Sequence, residues 1–149
     1  MKESAQIALS YVRAHAAELG IGDPSVLDGN IHIHVPAGAV PKDGPSAGVT
    51  MVTALTSMAL GRPVRSEVGM TGEVTLNGRV LPIGGAKQKL LAAQRAGLTT
   101  VFLPKRNEPD LDEVPADVLE AIEVVLTTDV ADLVTRAIEP ATVSVTAAA

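Results

Sequence analysis

Cysteine is missing from this chain of 149 residues. Its absence excludes disulfides, thiolate metal sites and a thiol nucleophile, and agrees with a reducing compartment. Tryptophan is missing too, and one Phe and one Tyr are the only aromatics of their kind, so a core must be built from Val, Leu, Ile, Ala and Met. With 46% of residues apolar, one domain can be sustained. No apolar run reaches the roughly 18–20 residues of a membrane span, and the N-terminus lacks the basic-then-apolar order of a secretory signal. Basic residues are scattered and the formal net charge is −5, which argues against a nucleic-acid partner. No Gly-x-x-x-x-Gly-Lys-Ser/Thr loop occurs, so ATP hydrolysis is not expected of this chain. His32 and His34 could chelate a metal, but no third ligand follows at a recognisable spacing. A cytoplasmic domain without membrane contact or a cofactor of its own is the expectation.

Ala5, Ala8, Val12, Ala16 and Leu19 recur at helical spacing and predict a first helix over about 2–19, stopped at Gly20. Ile31, Ile33 and Val35 alternate with His32 and His34, the pattern of a strand with one buried face that ends at Pro36. Residues 37–44 read as a loop, and Pro45 suits the first turn of a helix. The stretch 46–60 is small or apolar all round and predicts a buried helix closed by Gly61. Glu67 to Leu76 reads as extended, and Asn77-Gly78 signals a two-residue hairpin turn. A helix over 86–96 follows Gly84-Gly85, then a strand over 99–103. The acidic run 108–113 reads as an exposed loop. A short helix over 116–121, a strand over 123–126 and a helix over 129–138 capped by Asp129 complete the pattern. Residues 141–149 read as a frayed tail. The order predicts one α/β domain of mixed type, with helices packed on small β-sheets.

Two residues carry the candidate chemistry. Stepping 100° per residue along 86–97 puts Ala86, Leu90, Ala93 and Gly97 on one stripe, flanked by Ala92 and Ala96. Lys89 belongs to that stripe, whereas Lys87, Gln88, Gln94 and Arg95 face solvent. A lysine turned inward either snorkels back to water or is desolvated, which lowers the affinity of its amine for a proton and makes it a usable base. Ser46, inside Gly44-Pro45-Ser46-Ala47-Gly48, either caps a helix start or attacks a carbonyl whose oxyanion is held by helix-start amides. The histidines are not arranged around Ser46 as a Ser-His-Asp site would suggest, which makes Lys89 the base of interest. Asp43 reads as a brace for the loop ahead of Ser46.

Pro41-Lys42-Asp43-Gly44-Pro45-Ser46-Ala47-Gly48 resembles the nucleophile motif of bacterial Lon proteases. The likeness continues through Met70-Thr71-Gly72-Glu73-Val74-Thr75-Leu76, then Gly78-Arg79-Val80-Leu81-Pro82-Ile83-Gly84-Gly85, and into Lys87-Gln88-Lys89-Leu90-Leu91-Ala92-Ala93. It spans about Met1 to Ile138, so a proteolytic domain over 1–140 is expected. The resemblance implies Ser46 as nucleophile and Lys89 as general base, with Thr71 holding the lysine. Asp43, Gly44, Ala47, Glu73 and His34 are implied as supporting residues. It further implies unfolded polypeptides as substrates, a hexameric ring, and an ATPase module using ATP and Mg that precedes this domain. Met1-Lys2-Glu3-Ser4 is similar to an internal stretch of the family domain, so upstream β-strands are expected to be missing. Two other readings stand beside it. The Gly44–Gly48 segment could cradle a phosphate, as in small-molecule kinases, or the chain could be a folded, inactive piece whose lysine points away from the serine.

Overall fold

Strand β4 (Thr100–Pro104) is buried along its whole length, as a β-branched and aromatic run covered on both faces should be. In the computed structural model, which describes residues 1–36 and 44–141, it is the central strand of a parallel sheet ordered β1-β4-β5. Strand β1 (Val68–Met70) pairs with it from Val68 opposite Thr100 to Met70 opposite Phe102. Strand β5 (Glu123–Thr127) runs from Glu123 opposite Thr100 to Thr127 opposite Pro104. Side chains alternate across β4. Phe102 faces one cluster with Val125, the helices α1 (Lys2–Ala14), α2 (Gly48–Leu60) and α5 (Val130–Ala137). Val101 faces another, formed with α3 (Ala86–Arg95) and α4 (Ala116–Ala121) through Leu90, Ala93, Val118 and Ile122. The expected mixed α/β domain, helices on small sheets, is what is found.

The small sheet is a hairpin of β2 (Glu73–Val74) and β3 (Val80–Leu81). Its turn differs from the two-residue form expected at Asn77-Gly78. The Gly78 amide donates to the Thr75 carbonyl at 3.0 Å and the Thr75 amide to the Arg79 carbonyl at 3.1 Å. This is the longer loop in which only the last residue need be left-handed, and Gly78 supplies φ 78°. A Cβ there would meet the Tyr11 ring at 2.7 Å, so the turn is seated on the first helix.

Other expectations are corrected. The first helix stops at Ala14, and 15–20 continue as turns with Ala16 and Leu19 still buried. Residues 31–36 form no strand among the described residues. Alternation alone cannot make one, because a strand needs a partner to take its backbone hydrogen bonds. The stretch 67–76 is not one extended element: β1 and β2 lie in different sheets, and the chain changes sheets at Thr71-Gly72. The acidic segment winds into a 3₁₀ helix over Lys105–Glu113. Asp129 caps α5 as expected, accepting from the amides of Ala131 and Asp132. Residues 142–149, most of the expected tail, lie outside the described residues.

Candidate active site

Helix α2 is apolar and buried because Val49, Val52 and Leu55 pack into the main cluster, and Gly61 closes it. It begins at Gly48 with Ala47 as N-cap, so Pro45 precedes the helix rather than entering it. The Pro45 carbonyl instead accepts from the Gly48 amide at 3.1 Å. Ser46 therefore sits on a turn at the mouth of α2. Its hydroxyl is free of the capping duty that serine often performs there.

The serine is held by its backbone. Its carbonyl accepts from the Gly72 amide at 2.9 Å and from the Thr71 hydroxyl at 3.2 Å, while the Gly72 carbonyl accepts from the Val49 amide at 3.1 Å. Glycine is required at 72 by space: a Cβ would meet Val80 Cγ1 at 2.7 Å and Val49 Cγ1 at 2.9 Å. Thr71 is itself fixed, its amide donating to the Phe102 carbonyl of β4 at 3.1 Å. The change of sheets at 71–72 thus turns a buried threonine hydroxyl toward the serine.

Lys89 arrives from the other side of the sheet. Leu90 and Ala93 anchor α3 in the second cluster, which aims the half-buried Lys89 side chain at the turn. Its Nζ lies 2.9 Å from Ser46 Oγ and 3.0 Å from Thr71 Oγ1. Burial lowers the pKa of this amine from its ordinary 10.5. Lys87, expected on the solvated face, is half-buried. The three side chains line a cleft of about 420 Å³ whose walls are small or apolar, among them Met70, Ala92, Ala96 and Leu98. A lysine pointing away from the serine is not what the chain adopts.

Residues 1–140 match the family described as the Lon protease (S16) C-terminal proteolytic domain. The chain belongs to this family. It is 76% identical over its whole length to the Lon protease of Mycolicibacterium smegmatis, of which it covers 19%. It is 68% identical over 95% of its length to that of Salinispora arenicola, covering 18% of it, and 67% identical over 89% to that of Frankia alni, covering 15%. The chain therefore spans about a fifth of the length of the curated relatives it matches.

Within this Lon proteolytic domain the other expected site residues separate. Gly44, left-handed at φ 94°, opens the turn before Ser46. Ala47 lines this cleft and also a second, apolar groove of about 330 Å³ along α2. His34 is exposed and lines that second groove, not the cleft. Glu73 sits in β2 opposite Leu81 and does not line the cleft. Asp43 lies outside the described residues. Gly72 and the Phe102 carbonyl, which hold Ser46 and Thr71, were not singled out from sequence. The Thr-Gly pair between two extended stretches was the available signal for the first, whereas a backbone carbonyl leaves none. The first helical amides, expected to serve an oxyanion, are committed: Gly48 donates to Pro45 and Val49 to Gly72. Among the described residues no group of three His, Cys, Asp or Glu could hold a metal, and no helix is long and apolar enough to cross a membrane.

Proposed function

We propose that this Lon proteolytic domain hydrolyses peptide bonds through an acyl-enzyme, with Ser46 as nucleophile and Lys89 as general base. The observation that supports this best is the 2.9 Å approach of the desolvated Lys89 Nζ to Ser46 Oγ. The proton inventory is consistent. The Thr71 hydroxyl spends its only proton on the Ser46 carbonyl, so its lone pair faces Lys89 and accepts one N–H. A neutral amine so held directs its lone pair at the Ser46 hydroxyl.

As Oγ attacks the scissile carbonyl, Lys89 takes the serine proton and passes it to the leaving amine. Water, activated by the same amine, then releases the acyl group. Because Gly48 and Val49 are engaged, the oxyanion falls to amides of the turn that carries Ser46, ahead of the helix and in line with its dipole. An extended, unfolded polypeptide suits the open cleft and its small side chains. The larger part of the relatives' length would supply ATP-driven unfolding, with ATP and Mg bound outside this domain, and a hexameric ring would enclose the sites. A cytoplasmic setting accords with the absence of cysteine.

Covalent labelling by a peptide boronate or a fluorophosphonate tests the chemistry. Label is expected on Ser46, none in Ser46→Ala, and a loss of at least a hundredfold in Lys89→Met, the scale of removing a general base. Labelling of Lys89→Met at the wild-type rate would end the dyad reading.

A further inference from the structure

We propose that Asn107 is a positioning residue for the dyad: its carboxamide clamps the backbone of Ile83 and so registers the start of α3 against the strand that holds Thr71. The proposal rests on the Ser46–Lys89 reading and names what keeps the two partners of Lys89 in register.

Asn107 is 3% exposed, in the 3₁₀ helix three residues beyond the end of β4. Its Oδ1 accepts from the Ile83 amide at 3.0 Å, and its Nδ2 donates to the Ile83 carbonyl at 2.8 Å and to Asp110 Oδ2 at 2.6 Å. Both amide protons are used. A flipped carboxamide would oppose N–H to N–H at Ile83 and carbonyl to carboxylate at Asp110, so only one orientation is tolerated. A side chain thereby does for the 82–85 loop what a neighbouring strand would do, satisfying both backbone groups of one residue.

The clamp has a direct route to the site. Ile83 is followed by Gly84-Gly85 and α3, whose first turn closes with the Lys89 amide donating to the Gly85 carbonyl at 3.1 Å. On the other side, the chain leaves β4 at Pro104 and enters the 3₁₀ helix that carries Asn107, and the Phe102 carbonyl of β4 fixes Thr71. The two groups that meet Lys89 Nζ and the helix that delivers it are thus tied to one continuous segment, β4 and the 3₁₀ helix that follows it, by Phe102 in the first and Asn107 in the second. Without the clamp, α3 keeps Leu90 and Ala93 in their cluster, but its first turn, anchored by the small buried side chain of Ala86, can tilt. Lys89 would then lose its distance to Ser46 and gain water. Among the described residues, Lys87 and Arg95 on α3, Asp110 and Glu113 on the 3₁₀ helix and Asp117 on α4 are not among the causes of the lowered pKa of Lys89, which is burial. Hydration therefore reads out directly on that amine.

The test is an Asn107→Ala variant of this chain, with Ser46 labelling measured against pH and the Lys89 amine titrated by ¹³C NMR of the labelled lysine. Expected are a Lys89 midpoint displaced upward and labelling at pH 7 down about tenfold, as follows when the neutral amine becomes ten times rarer, with recovery at alkaline pH. Val118→Ala, which thins the same cluster without touching the loop, should lower the melting temperature and leave the midpoint in place. Asp110→Ala, which removes only the orienting carboxylate, should move the midpoint in the same direction by less, and it decides the matter if Asn107→Ala does not fold. An unchanged midpoint and rate in the folded clamp variant, while Lys89→Met has lost labelling, overturns the proposal and leaves the dyad standing. Wild-type labelling by Lys89→Met removes the dyad itself, and this proposal with it.

Discussion

Gly48→Ala places one methyl group where the serine turn, α2 and the sheet change meet. A Cβ at 48 would lie 2.9 Å from the Val74 amide nitrogen, 3.2 Å from the Gly72 carbonyl oxygen and 3.4 Å from Val74 Cβ. The first two are backbone atoms, and the Gly72 unit is tied to the chain on either side of position 48 by its bonds to Ser46 and Val49. Neither can rotate away, so α2 and the 72–74 segment must part by several tenths of an ångström. Overpacking of this kind costs about 1–3 kcal/mol, offset by up to about 1 kcal/mol from the better helix propensity of alanine. A net loss of about 1–2 kcal/mol lowers the melting temperature by roughly 3–6 °C in a chain of this size. Ser46 is two residues away and its carbonyl is one of the ties, so its labelling rate should fall by more than the unfolded fraction explains. Gly22→Ala is the control: nothing lies within 4 Å of its Cβ and its φ is not left-handed, so a change within about 0.5 kcal/mol is expected. Thermal melts and labelling of the two variants side by side measure this. A Gly48→Ala protein that melts with the wild type and labels at its rate would refute the close-approach argument.

Lys89→Met tests burial of the amine through stability. In the wild type the folded state disfavours the charged form, so between the lowered folded midpoint and 10.5 the unfolded chain binds more protons. Stability from this group therefore rises with pH across that window. The melting temperature of Lys89→Met relative to wild type should accordingly decline as pH is raised from 7 toward 11; a flat or growing difference contradicts the lowered pKa. Leu90→Ala empties a fully buried position on the helix that carries Lys89 and should cost about 2–5 kcal/mol in urea unfolding; a loss below 1 kcal/mol would show that α3 is not anchored there.

Much of the site was readable because helical geometry is local. A 100° step sufficed to turn Lys89 inward, since the residues that decide its face, Ala86, Leu90 and Ala93, lie within one turn of it. The buried α2 and the Asp129 cap were legible for the same reason. His34 and Glu73 were carried in by family likeness of sequence; the fold places one on the adjoining groove that shares Ala47 and Thr50 with the cleft, and the other on a hairpin strand opposite Leu81. Asn107 had no signal at all, being one polar residue in a polar stretch, and became notable only once buried against Ile83.

By itself the chain determined its α-helices to within a few residues, a short strand over about 99–103, the inward lysine and the serine at a helix mouth, because each follows from side-chain period, steric limits and desolvation over a few neighbouring residues. Tertiary structure alone decided that 67–76 would split between two sheets, that 31–36 would stay unpaired among the described residues, and that Thr71, Ser46 and Lys89 would meet within 3.2 Å. Those outcomes depend on groups tens of residues apart choosing partners, and backbone hydrogen bonds carry no side-chain label by which a linear sequence could announce the choice.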